Sequence, residues 1–262
     1  MPSLRHQALQ LLVCRDPNQK ASGTRALDPS GPVGADDIIG EASGIPGRPE
    51  RPQRVPHTQL KQRSMKTVQG RAALLHALAH IELNAIDLAL DVCWRFHGMP
   101  EAFYRQWLAV AREEALHFQL LRDHLTTLGC GSGDFPAHDG LWQMAERTRH
   151  DLLARIALVP RTLEARGLDA SPAVKAKLLA AGDLRGAEIL DIILRDEIGH
   201  VAVGNHWFKW LCERQWLEPV ATYAELAIRH EAPRLRGPFN LEARRAAGFD
   251  EAELRALQGS AT

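Results

Sequence analysis

The sequence has few cysteines, no excess of either charge and no long apolar run. Cys14, Cys93, Cys130 and Cys212 are scattered over 262 residues without a Cys-x-x-Cys pair, which argues against a zinc knuckle or a disulfide framework and fits a reducing compartment. Thirty-two Lys and Arg balance thirty-two Asp and Glu, so no broad electrostatic footprint for nucleic acid is present, although local basic patches stay open. No stretch of 18 apolar residues occurs, and the short apolar run at residues 9–14 has no small-residue cleavage pattern after it. A soluble, unexported cytoplasmic protein without a membrane span is expected. Against these absences stands a hydrophobic content of 45%, enough for a sizeable core in one or two domains.

Composition divides the chain. Residues 1–68 allow a short helix over residues 3–14, then become rich in Gly, Pro, Asp and Ser, as in Asp28-Pro29-Ser30-Gly31-Pro32. Such a stretch does not sustain long helices and reads as an irregular arm. Its end is basic, with Arg48, Arg51, Arg54, Lys61, Arg63, Lys66 and Arg71. That run reads as a solvated surface, with a contact for an anionic substrate or RNA as the alternative. Residues 69–216 carry helical periodicity, and residues 217–262 read as short helices packed outside, over residues 221–230 and 250–258.

Two stretches of the helical region share one chemistry. Arg112-Glu113-Glu114-Ala115-Leu116-His117 and Arg195-Asp196-Glu197-Ile198-Gly199-His200 both read acid-Glu-x-x-His. On a helix, positions i and i+3 lie on one face, so each Glu and His can grip one metal ion together. Seventeen Glu and twelve His would give about one such match by chance, so placement has to carry the weight. Glu82 lies in the apolar stripe Leu75, Leu78, Ala79, Ala85, Ile86, Ala89, and Glu114 and His117 lie in Trp107, Val110, Ala111, Phe118, Leu121. Glu82 and Glu114 are 32 residues apart about Gly98, inside the turn-like His97-Gly98-Met99-Pro100. Glu164 and Glu197 are 33 apart, a near copy of that interval.

The spacing predicts four helices that hold two ions with two Glu-x-x-His pairs and two single carboxylates, Glu82 and Glu164. The second helix should stop near Gly129, and residues 130–140 should form the crossover. The third helix, residues 141–166, is irregular in pattern: Pro160 lies inside it, residues 167–172 interrupt it, and Glu146 offers a second carboxylate on the same face. It should resume over residues 172–181 and turn at Gly182-Asp183 into a fourth helix over residues 184–214. Gathered in an apolar core, four carboxylates need compensation, because an unpaired buried ion costs at least several kcal/mol. Two divalent cations supply it. Glu113 and Asp196 are placed to orient the opposite histidines, Asp196 to His117 and Glu113 to His200. His76, His80 and His206 read as packing or surface histidines, Trp207, Phe208, Trp210 and Trp216 as anchors for the outer helices, and Gly199 and Gly204 as room for oxygen or for close helix packing.

These motifs resemble the ligand motifs of the ferritin-like di-iron carboxylate superfamily, which includes the ribonucleotide reductase small subunit, bacterial multicomponent monooxygenases and a tRNA-modifying hydroxylase. More narrowly, the runs His76-Ala77-Leu78-Ala79-His80-Ile81-Glu82-Leu83-Asn84-Ala85-Ile86-Asp87, Leu163-Glu164-Ala165-Arg166-Gly167-Leu168 and Asn240-Leu241-Glu242-Ala243-Arg244 are similar to the ferritin-like domain of unknown function 455. The resemblance covers nearly the whole chain and favours Glu164 over Glu146. It implies an all-α, ferritin-like four-helix bundle holding two iron ions, or manganese, with Glu82, Glu114 and His117 on one ion, Glu164, Glu197 and His200 on the other, and Glu114 and Glu197 bridging. The expected activity is O2-dependent hydroxylation or oxidation of an unknown substrate, with an electron donor as partner and homodimerisation allowed. A modified nucleoside in tRNA is one substrate the resemblance suggests, and the neutral charge gives RNA little support. A non-catalytic metal-binding or iron-handling protein is the alternative.

Overall fold

The computed structural model describes residues 2–61 and 63–260. The fold is all-α: among the described residues there is no strand, only an isolated bridge between Arg54 and Ala137. The chain divides into two compact units, Met1–Trp142 with Leu178–Ile189, and Gln143–Lys177 with Leu190–Thr262.

In the first unit the two long helices are α3, Val68–Arg95, and α4, Glu101–Thr127. Thr67 caps α3 by accepting a hydrogen bond from the Gly70 N–H at 3.0 Å. Gly98, at φ +76°, makes the turn between the helices. Beyond α4, Gly129 takes φ +75° and the Cys130 N–H returns to the Leu125 carbonyl at 3.3 Å, closing the helix end. Among the described residues α3 is the one helix long and apolar enough to cross a membrane by length and composition, and 72% of that stretch is buried inside the fold.

The arm holds two short helices, α1, Leu4–Leu12, and α2, Pro17–Arg25. Only the first is predicted by apolar pattern. The second starts from Asp16, whose carboxylate accepts from Asn18 and Gln19, and its buried residues Lys20, Ala21 and Thr24 form no apolar stripe. Both helices are tied to α3 by buried cations. Arg5 donates to the α3 C-terminal carbonyls of Cys93 (2.9 Å) and Trp94 (2.8 Å), where the helix dipole also favours a cation. Lys20 is ion-paired with Asp87, both buried, and donates to the Gly47 carbonyl at 2.9 Å.

The second unit differs from the expected pattern in its first helices. Instead of one helix over residues 141–166, there are α5, Gly140–Arg147, and α6, Leu152–Leu158, the latter capped by Asp151. A π-helical turn, Val159–Glu164, leads into α7, Ala165–Ala180. The turn accommodates Pro160: the Ala165 N–H reaches back five residues to the Pro160 carbonyl, and the Thr162 hydroxyl donates to the Ala157 carbonyl at 2.9 Å. The predicted interruption at residues 167–172 is wrong, because α7 runs through Gly167 and Pro172. Pro172 has no N–H for the Leu168 carbonyl, and the Asn240 side-chain amide donates to that carbonyl instead at 3.2 Å.

After Gly182, at φ +76°, α8 spans Leu184–Arg214, as expected, with Asp183 accepting from the Gly186 N–H at 2.9 Å. Three short helices follow: α9, Pro219–Arg229; α10, Leu241–Ala246; and α11, Glu251–Ser260. At six residues, α10 is too short for periodicity to show. Ala165, Leu168, Val201, Ala243 and Ala247 form the buried cluster joining α7, α8 and α10. Trp207 and Phe208 are buried, but Trp216 is 96% exposed at φ +56° and anchors nothing, contrary to expectation.

Candidate metal centre

The first unit brings Glu82, Glu114 and His117 together. Their exposures are 6%, 1% and 0%, and one ligand atom from each lies within 4.8 Å of the others. His117 Nδ1 faces Glu82 at 3.2 Å and Glu114 at 3.3 Å. The geometry follows from the helices: Glu114 and His117 share a face of α4, and Glu82 comes from the middle of α3 among the buried Ala79, Ala85 and Ile86. Burial first, and then the Glu114 carboxylate, push the Glu82 carboxyl up to about 8. For His117 burial alone acts downward, and hydrogen bonds to the Glu114 and Glu82 carboxylates more than reverse it, to about 11. Glu82 and His117 therefore hold protons more firmly than free side chains do, as expected where negative charge is concentrated away from water.

The donor set suits a hard or borderline divalent cation. Imidazole and carboxylate bonds of about 2.0–2.2 Å to a small ion put donor atoms about 3–4 Å apart, the spacing seen here around His117 Nδ1. Nitrogen and oxygen donors without a thiolate are those of several first-row divalent ions, zinc as well as iron and manganese. With Nδ1 turned to the carboxylates, Nε2 remains as the position for an orienting partner.

The second unit repeats the pairing on α8. Glu197 and His200 are 8% and 1% exposed, and His200 Nδ1 stands 3.4 Å from Glu197. Glu164, the last residue of the π turn, is half-buried, and its Oε2 is shielded from solvent. Gly167, one turn further along α7, lies so close to Glu197 that a Cβ there would stand 3.7 Å from its Cγ and Oε1. Glu197 thus packs on α7 one turn from Glu164. Glu146 is exposed and lies 3.9 Å from Arg149. Asp196 receives the Arg195 guanidinium at 2.7 and 3.0 Å, and Glu113 is exposed on α4.

Other residues fall into place around these groups. His76 accepts the Gly133 N–H at 2.9 Å and stacks edge-on to Phe135, a packing role. A Cβ on Gly204 would lie 2.9 Å from Pro160, so that glycine serves close packing of α8 on the π turn, while the space beside Gly199 is open. Sequence reasoning missed the π turn itself, and Thr162 and Tyr223, whose hydroxyls bond each other at 2.9 Å beside it. Pro160 was the signal.

A family model described as "Protein of unknown function (DUF455)" matches residues 13–255. An uncharacterised protein of Haemophilus influenzae is 49% identical over 213 residues, which cover 79% of this chain and 74% of that one. No solved structure matches the chain.

Proposed function

The chain belongs to the DUF455 family, and from that premise we propose that it is a dinuclear metal protein acting as an O2-dependent oxidoreductase. Glu82, Glu114 and His117 hold one ion and Glu164, Glu197 and His200 the other; the metal is iron, with manganese the alternative. The observation that carries this reading is the recurrence of one arrangement, a buried imidazole Nδ1 facing the carboxylate three residues before it, at 3.3 Å on α4 and 3.4 Å on α8. The near-equal intervals of 32 and 33 residues support assigning Glu82 to the first Glu-x-x-His pair and Glu164 to the second.

When bound, two ferrous ions supply electrons in pairs to O2, the basis of hydroxylation and related oxidations. The chain's own part is to exclude water, through apolar packing on α3, α4 and α8, and to hold the histidines by their Nε2 atoms, the role proposed for Asp196 and Glu113. An external electron donor and a substrate, for which a modified nucleoside is one class, complete the reaction in a cytoplasmic setting. Metal analysis of anaerobically purified protein, followed by absorbance on mixing the ferrous form with O2, tests the reading. Two ions per chain and an oxygen-dependent band support it. Bound metal with no oxygen-dependent change would leave the non-catalytic metal-binding alternative, and a chain that binds no metal would end both.

A further inference from the structure

Two arginines from the basic end of the arm meet at one carboxylate. Arg48 Nη2 lies 2.9 Å from Asp139 Oδ1, and Arg54 Nε lies 3.9 Å from Oδ2. Arg15 joins them from the stretch between α1 and α2, its Nε donating to the Arg48 carbonyl at 3.1 Å. All four side chains line one solvent-open cleft of about 440 Å³ within the first unit, together with residues 44–46 and Trp142.

Three guanidinium groups thus share a single carboxylate, which leaves two positive charges uncompensated in the lining. The chain as a whole is neutral, so the excess is local. Like charges this close repel, and more strongly where water screens them less. The Arg48 side chain is 14% exposed, against 48% for Arg54. Burial lowers the Arg48 pKa; Asp139 and Asp87 act against that, and Arg54 adds to it. Asp87 is already paired with Lys20. Asp139 Oδ1 is shielded from solvent, so that oxygen holds Arg48 rather than facing an incoming anion.

Donors remain for a ligand. Among the described residues the terminal nitrogens of Arg15 and Arg54 carry no hydrogen bond, and both side chains are exposed. The backbone beneath them is fixed. Gly47 donates to the Leu12 carbonyl at 2.7 Å, and a Cβ there would stand 2.1 Å from the Val13 carbonyl oxygen, so the arm packs tightly on the end of α1. On either side of Arg54, the Val55 N–H and the Gln53 carbonyl bond to Ala137 at 2.9 and 3.0 Å. Arg48 is held by Asn84 at 3.0 Å. Arginines presented from a fixed backbone have less freedom to lose on binding.

We propose that this cleft binds a phosphate dianion, free or as the terminal phosphate of a small monoester, between the guanidinium groups of Arg15, Arg48 and Arg54. Two uncompensated positive charges match a group carrying about two negative ones near neutral pH, whereas a carboxylate or a phosphodiester carries one. Phosphate oxygens accept readily from planar guanidinium forks. The site stands apart from the metal reading, since none of these residues is a ligand there.

Isothermal titration of the full chain with inorganic phosphate, glycerol phosphate and dimethyl phosphate tests the proposal. Phosphate at about pH 7.5, chiefly the dianion, should bind one to one and about tenfold more tightly than singly charged dimethyl phosphate. Tighter binding of glycerol phosphate identifies a monoester as the source of the group; equal or weaker binding identifies the free ion. Arg15→Gln and Arg54→Gln, both at exposed positions, should each weaken phosphate about tenfold, the loss of one charge-assisted hydrogen bond, with helical circular dichroism unchanged. Arg63 is exposed on the same arm but outside the cleft, and Arg63→Gln should leave binding unaltered. No phosphate binding at millimolar concentration, equal affinity for dimethyl phosphate, undiminished binding in both cleft variants, or an equal loss in Arg63→Gln would each overturn the proposal.

Discussion

Glu82 is presented by α3, 28 residues of uninterrupted helix, whereas Glu164 closes a π turn between two shorter helices. The donors that accompany them are alike: each long helix, α4 or α8, offers a carboxylate and an imidazole three residues apart, buried and about 3.3–3.4 Å from each other. What differs is the backing. Behind Glu82 the buried Lys20–Asp87 pair and the Arg48–Asn84 hydrogen bond fix α3 from the arm. Behind Glu164 the backbone ladder is shifted, and the Thr162 hydroxyl, itself bonded to that of Tyr223, donates to the Ala157 carbonyl. The same Glu-x-x-His pairing is thus accompanied by a regular helix in one half and an irregular one in the other, and π turns are frequent at functional sites.

The largest expected effect is on the half built around α3. Lys20→Ala leaves Asp87 buried without its cation and should cost about 3–5 kcal/mol, read as a fall in Tm, whereas the double change Lys20→Met with Asp87→Leu should recover most of it. An equal loss in the double variant would mean that the pair does not fasten the arm.

The next effect is on the order of a few kcal/mol and concerns protons. In metal-free protein the pKa of Glu82 is raised from 4.5 to about 8 and that of His117 from 6.5 to about 11. Groups with raised folded-state values favour the fold at low pH: the Glu82 contribution is full below pH 4.5 and lost as pH rises through 8, and that of His117 is full below 6.5 and lost toward 11. Urea midpoints of metal-free protein should therefore fall from pH 5 to pH 8.5, and Glu82→Gln should flatten that fall. Metal loading should reverse the slope, because binding requires the donors to release their protons. A metal-loaded protein that still weakens as pH rises would speak against these ligands.

Smaller changes probe the half that contains the π turn. Gly204→Ala forces a Cβ to within 2.9 Å of Pro160, and overpacking of this kind costs about 1–3 kcal/mol. It should weaken the ion held by Glu164 more than the ion held by Glu82, seen as a wider gap between two binding phases in a metal titration. Thr162→Val removes the hydroxyl bonded to the Ala157 carbonyl and to Tyr223, worth about 0.5–1.5 kcal/mol per hydrogen bond. Its shift should be in the same direction and smaller.

Much of this was readable from residues alone. The caps and turns of the long helices follow from Thr67, Gly98, Gly129 and Asp183, whose side chains or lack of them serve particular backbone positions. The inward stripes of α3 and α4 are equally plain, and they place Glu82, Glu114 and His117 together. The helices before Glu164 were not so legible, because periodicity assumes one helical repeat and Pro160 changes it. Pro172 misled in the opposite sense: a proline normally breaks a helix, but here Asn240, some 70 residues later, meets the carbonyl it leaves open. Such distant compensation has no local signature. Polar α2 was hidden for a similar reason, since a lysine and a threonine bury where apolar residues would be sought.

Each half is proposed to retain one metal ion, and ferrous titration of anaerobic wild-type, His117→Ala and His200→Ala proteins measures this directly. Two ions per chain in the wild type, with each variant losing one ion or binding it more than about 100-fold more weakly, is the predicted result. Unchanged stoichiometry and affinity in both folded variants would contradict it.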